Sequence, residues 1–269
     1  MDKPLPKFDN PPVIEVALSV QFERRNVATA QLALVWQQYR DRFPDIQEKP
    51  ELEPVIERFG SPKALVAGVR FEVGTMPAPR LWFVSKSGCE LVQVQRDRFI
   101  RNWRKTDGEP DYPSFEKLRQ AFVDDWELFS RFVSDEFKSP LVPNQCEVTY
   151  VNILDGLNPS QLPQVMSWIS GNFSDDYLGE PEDADLTLRF LLKDNNASPW
   201  GRLHIAATPV IRAPDNRPVI RLAITARGAP MTKDWNGALD CLDKGHEAVV
   251  RGFTSITTPA MQKTWERTT

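Results

Sequence analysis

Val13-Ile14-Glu15-Val16-Ala17-Leu18-Ser19-Val20-Gln21-Phe22 is the stretch on which the fold turns. Ile14, Val16, Leu18, Val20 and Phe22 fall on one side of an extended chain, and Glu15, Ser19 and Gln21 on the other. This period of two marks a strand with one buried side. Upstream, Pro4, Pro6, Pro11 and Pro12 make an extended arm. Downstream, Leu32, Val35, Trp36, Tyr39 and Phe43 recur at helical spacing over residues 29–43, and Pro44 ends the helix. Strands are expected at 55–59 and 64–73, with a proline-broken loop at 74–79. Residues 80–86 and 90–103 then read as a hairpin across Ser87-Gly88.

The clearest helix follows. Ser114 is placed to cap it, and Phe115, Leu118, Phe122, Trp126, Phe129, Val133 and Phe137 form one apolar stripe that requires a large sheet to cover it. Pro140 and Pro143 end it. The order then begins again. Residues 146–154 have strand character, and Asn158 or Ser160 is placed to cap a helix through Val165, Met166, Trp168 and Ile169. Strands follow at 186–192, 201–211 and 218–227, and a last long helix carries Leu239, Leu242, His246, Val249, Val250 and Phe253. This order predicts an α+β fold. An extended antiparallel sheet would be built from two similar β-α-β(3-4)-α halves, residues 1–142 and 143–269, with long helices on one face. By analogy the order is that of the TATA-binding-protein type.

The chain has 269 residues, 41% apolar and 26% charged, with a net charge of −4. That balance disfavours a bulk electrostatic grip on nucleic acid. Cys89, Cys146 and Cys241 have neither disulfide-framework nor zinc spacing. No signal-peptide pattern or membrane-spanning apolar run is read, so the expected location is cytoplasmic, with no transmembrane segment, metal or cofactor. No phosphate loop, dinucleotide fingerprint or nucleophile elbow occurs. Asp124-Asp125 and Asp175-Asp176 are adjacent residues that point apart, and they read as solvated. The acidic run at 175–185 reads as a solvated connection.

Two clusters carry chemistry. The first is Gln93 through Lys105, with Arg96, Arg98, Arg101, Arg104 and Lys105 interleaved with Phe99 and Trp103. Arginine and aromatic groups on a sheet hold phosphates and stack bases. The alternative is that these arginines pair with Asp124, Asp125, Glu127 and Asp135 of the following helix. The second is His246-Glu247. The zinc-protease pattern fails because Val250 stands where a second histidine is required. That leaves a core-edge histidine that orients a loop, or a general base. His204 reads as a structural or surface histidine.

Four stretches together resemble a sporadically distributed, uncharacterised bacterial protein family. They are Asn10-Pro11-Pro12-Val13-Ile14-Glu15, the Gln93 to Arg104 run with its Asn102-Trp103-Arg104 core, Glu147-Val148-Thr149-Tyr150-Val151-Asn152, and the close from His246-Glu247 through Phe253 to Ile256-Thr257-Thr258 and Trp265. The resemblance covers nearly the whole chain. Its patchy distribution implies an accessory or phage-defence cassette, and it supplies no catalytic residues. The reading is therefore of a non-catalytic recognition or adaptor protein with a protein or ligand partner. The alternatives are nucleic-acid or phosphate-ligand binding through Arg96, Arg98, Phe99, Arg101, Trp103 and Arg104, or an enzyme using His246 and Glu247. Homo-oligomerisation is compatible with each.

Overall fold

The computed structural model describes residues 4–25, 27–60, 79–108, 111–138, 140–155, 157, 161–169, 177, 179, 181–213 and 215–269. Among them the elements run β1 (Val13–Phe22), α1 (Thr29–Trp36), β2 (Asp45–Pro50), β3 (Pro79–Val84), β4 (Glu90–Gln95), β5 (Arg98–Arg104), α2 (Phe115–Phe137), β6 (Pro143–Asp155), α3 (Leu162–Val165), β7 (Leu186–Lys193), β8 (Pro199–Arg212), β9 (Arg217–Gly228), α4 (Trp235–Ile256) and α5 (Pro259–Thr264). The strands form one nine-stranded sheet in the order β2-β3-β4-β5-β1-β6-β9-β8-β7. Every neighbouring pair is antiparallel. The fold is α+β. No described helix is long and apolar enough to cross a membrane.

The two long helices cover one face of this sheet. Val16, Leu18 and Val20 of β1 and Val148 and Tyr150 of β6 point to that side and are buried. The α2 stripe Phe115, Leu118, Phe122, Trp126, Phe129 and Val133 is buried against it. Each such side chain contributes about 1.5–3 kcal/mol of burial free energy. Helix α4 comes close to the sheet because it presents glycine: a Cβ on Gly245 would sit 3.0 Å from Val148 Cγ2, and one on Gly252 would sit 2.5 Å from Leu203 Cδ2. Asp234 caps α4, accepting from Gly237 N at 2.8 Å.

Several sequence expectations need correction. Residues 90–103 are two strands, not one. Arg96-Asp97 turns between them, and Gln95 donates to Asp97 Oδ1 at 2.6 Å. Residues 55–59 join no strand, and the helix from Thr29 is regular only to Trp36, although Tyr39 and Phe43 are buried. Strand β2 was missed because Asp-Ile-Gln-Glu-Lys-Pro is polar, exposed and proline-ended, as an edge strand is. Strand β1 is covered on both sides: Ser19 and Gln21 are as buried as its apolar residues. Of Asp124-Asp125, only Asp124 is solvated, and Asp125 is fully buried. The strand at 64–73, the loop at 74–78, the Asn158 and Ser160 caps and most of the acidic run lie outside the described residues.

Candidate functional site

The basic-aromatic run does not present a stacking surface. Phe99 is fully buried, with its ring centroid 5.6 Å from Phe122, 5.7 Å from Trp126 and 5.0 Å from Phe129. Trp103 is buried beside Tyr112. Arg101 is held between two carboxylates, with Nε 2.7 Å from Asp125 Oδ2 and Nη2 2.7 Å from Glu90 Oε1. Strand pairing dictates this, because the alternation that puts Phe99, Arg101 and Trp103 on one side turns that side towards α2. Arg98 lies on the opposite face and donates to Gln21 Oε1 at 2.6 Å. Arg96 is half-buried in the β4–β5 turn, and its carbonyl accepts from Arg25 N. Arg104 donates to the Gly88 carbonyl and lies over the Trp82 ring. The run is a structural part of the sheet. Phe99 and Trp103 offer no face to a base.

His246 and Glu247 go to different places. Glu247 is exposed and pairs with Arg251, Oε1 to Nε 2.7 Å. His246 lines a cavity of about 370 Å³. Helix α4 supplies His246, Val249, Val250 and Phe253; the sheet supplies Tyr150, Asn152 and Ile224; the start of α2 supplies Ser114, Phe115 and Glu116. The proline-rich arm closes the cavity with Phe8 and Pro11. That arm is itself anchored. Phe8 bridges to Arg267, and Asp9 N and Asn10 N donate to the carbonyls of Glu266 and Trp265. The Phe8 ring meets Phe253 edge-on at 5.3 Å.

Within the cavity wall three polar groups are linked in series. Tyr112 Oη lies 2.8 Å from Tyr150 Oη, which lies 3.0 Å from His246 Nδ1. Phe115 stacks flat on the imidazole, 3.8 Å between centroids and 4° between planes. Burial pushes the His246 pKa down to about 4, outweighing the opposite pull of Glu116, Asp243 and Glu247. Burial likewise raises both tyrosines. All three groups are therefore uncharged at neutral pH. Nδ1 is taken up by Tyr150, so Nε2 is the ring nitrogen left for a guest. At the rim, Glu116 has a lowered pKa because the Glu116 backbone and the Ser114 hydroxyl hydrogen-bond its carboxylate. Ser114 has φ 117° and ψ 157°, a conformation that costs a non-glycine residue about 1–3 kcal/mol and that clusters at binding and switch sites.

The depressed imidazole makes stability depend on pH. The unfolded chain takes up this proton near pH 6.5, but the folded one only near 4. Stability should therefore be constant above about 6.5 and fall as pH drops towards 4, by about 3 kcal/mol at most from this residue. His246→Phe keeps an aromatic ring against Phe115 but cannot titrate. Urea midpoints between pH 7.5 and 4 should fall less steeply in that variant than in the wild type.

The sequence singled out His246, but not Tyr112, Tyr150 or the arm as its neighbours. His204 is half-buried and within 2.6 Å of Glu57 Oε1. Its pKa is lowered, with burial the largest cause. No group of three or more His, Cys, Asp or Glu among the described residues is placed to hold a metal. No protein-family model matches the chain, and no curated protein matches it.

Proposed function

We propose that this is a non-catalytic recognition protein whose cavity beside His246 takes a small, mainly apolar ligand bearing one neutral hydrogen-bonding head. The observation that carries this reading is the uncharged Tyr112–Tyr150–His246 chain set in a mainly apolar cavity. Its volume of about 370 Å³ falls in the range of small-molecule sites, where a few polar groups orient a guest held by apolar walls. Lys7 and the ionised Glu116 both line the cavity and offset one another, so it favours neither sign of charge on the head. A general-base role is the weaker reading. An imidazole with a pKa of about 4 is far from the operating pH that makes a base effective, and Glu247 is engaged with Arg251 instead of orienting the ring.

Alkylphenols and medium-chain alcohols, titrated by ligand-observed NMR, are the probes. Wild type should show saturable one-site binding. Val250→Trp, which fills the cavity, should abolish it. Tyr150→Phe should weaken it by about 0.5–1.5 kcal/mol, the worth of one hydrogen bond. Equal binding by a folded Val250→Trp protein would overturn the assignment.

The scaffold itself is consistent with two copies of one unit, residues 1–142 and 143–269, of the TATA-binding-protein type. Support comes from the strand order. From the β1–β6 seam outward, one side runs β1-β5-β4-β3-β2 and the other β6-β9-β8-β7. Each side places its first strand at the seam and pairs it with its last. Each ends in a long helix, α2 or α4. Glu15-Val16 in β1 and Glu147-Val148 in β6 occupy like places in their strands.

A further inference from the structure

The face of the sheet opposite the helices is crossed by a length of the chain's own backbone. Residues 51–59 leave β2 and run across the strands, joined to none of them. Sheet side chains hold this segment mainly by its peptide groups. Gln95 reads both sides of Leu52, accepting from its N–H at 3.0 Å and donating to its carbonyl at 2.9 Å. Arg98 donates to the Glu53 carbonyl at 3.1 Å, Gln21 accepts from Val55 N at 3.0 Å, and Arg202 donates to the Arg58 carbonyl at 3.0 Å. Side chains are held as well: Arg24 Nη2 lies 2.8 Å from Glu51 Oε2, and the Arg202 guanidinium lies over the Phe59 ring. The Glu57 carboxylate, 5% exposed, meets Arg202, His204 Nε2 at 2.6 Å and Arg227 Nη1 at 3.5 Å.

The dimensions agree. From β4, which carries Gln95, to β8, which carries Arg202, is five strand spacings of about 4.8 Å, or about 24 Å. The six residue steps from 52 to 58 span at most about 20 Å when fully extended, and arginine and glutamine side chains cover the remainder. The fit is incomplete at its centre. A gap of about 10 Å³ lies beside Val55, lined by Gln21, Arg98, Gln145 and Glu147. Arg98 Nε and Gln145 Oε1 are buried there without a hydrogen-bond partner among the described residues. Without it the face would carry Arg98, Arg202, Arg227 and His204 against Glu147.

We propose that this face is a recognition site for an extended acidic polypeptide, occupied in cis by residues 51–59 and open to a partner's segment of the pattern Leu-x-x-Val-x-Glu-x-Phe. The paired reading of Leu52 by one glutamine amide matches the donor and acceptor of a peptide backbone. The site is on the opposite side of the sheet from the cavity and does not depend on the reading of that cavity.

The probe is a labelled peptide of the sequence of residues 51–59, followed by fluorescence anisotropy. The tethered copy competes at high effective concentration, so weakening it should strengthen capture of the free peptide at least about tenfold. Glu57→Gln removes the charge from the resident segment. Val55→Pro removes the N–H that Gln21 accepts and leaves the arginine cluster intact, so it tests the same point if Glu57→Gln fails to fold. The gain should vanish on adding Arg202→Gln, and a peptide with Glu57→Gln should not bind. If folded Val55→Pro protein captures the peptide no better than wild type, or a single-stranded oligonucleotide binds it more tightly than the peptide does, the proposal is wrong.

Discussion

Asp125→Ala should cost about 3–5 kcal/mol, the loss expected when one partner of a buried ion pair is removed. The Asp125 side chain is fully buried, and its carboxylate accepts from Arg101 Nε at 2.7 Å and from Arg42. Its carbonyl accepts from the Tyr39 hydroxyl at 2.5 Å. Arg101, with a side chain 3% exposed, would be left with Glu90 alone. The penalty comes from stranding that charge, so removing both should recover most of the loss: Asp125→Leu with Arg101→Met should be far more stable than Asp125→Ala. Asp124→Ala, one residue away on the solvated side, should stay within about 0.5 kcal/mol of wild type. Urea unfolding of the four proteins decides it. An Asp125→Ala protein as stable as Asp124→Ala would mean that the pair does not hold the helix to the sheet.

The second large effect is at Phe99. Truncation to alanine should cost about 3–5 kcal/mol, because the ring is fully enclosed and its neighbours cannot all collapse into the space. That is a large part of the roughly 5–15 kcal/mol that stabilises a typical domain. Phe99→Leu should cost much less. This substitution also separates two roles for the basic-aromatic run. A nucleic-acid platform would lose oligonucleotide affinity at unchanged stability; a core strand loses stability. An unaltered urea midpoint in Phe99→Ala would return Phe99 to the surface.

What the sequence made legible depended on what its periodicity measures. Alternation in β6–β9, and the aromatic stripe of α2, report burial against a single layer, and those elements are found where the pattern puts them. At residues 55–59 alternation was present too: Val55, Glu57 and Phe59 turn inward while Ile56 and Arg58 turn out. The pattern reported a covered side correctly. It could not report that the covering partner was a set of side chains and not a neighbouring strand. The Arg96-Asp97 turn escaped for a related reason. Asp97 is a common turn residue, but Arg96 is not, and the β-prone residues on both sides read as continuous. The cavity was legible only at His246. Tyr112 lies in the connection between β5 and α2, Tyr150 looks like any strand aromatic, and the arm has no periodicity. Their meeting depends on contacts between residues far apart in the chain.

The position of β1 has a consequence for biosynthesis. Among the described strands it is made earliest, yet it pairs on one side with β5 and on the other with β6. Roughly 75 residues must be translated between its end and the arrival of β5, which at about 5–20 residues per second is on the order of 4–15 s. For that time a ribbon of valine, leucine and phenylalanine has both edges open beside the ribosome. Nascent chains of this protein should therefore be a chaperone client at lengths short of β5, and cease to be one once β6 has emerged.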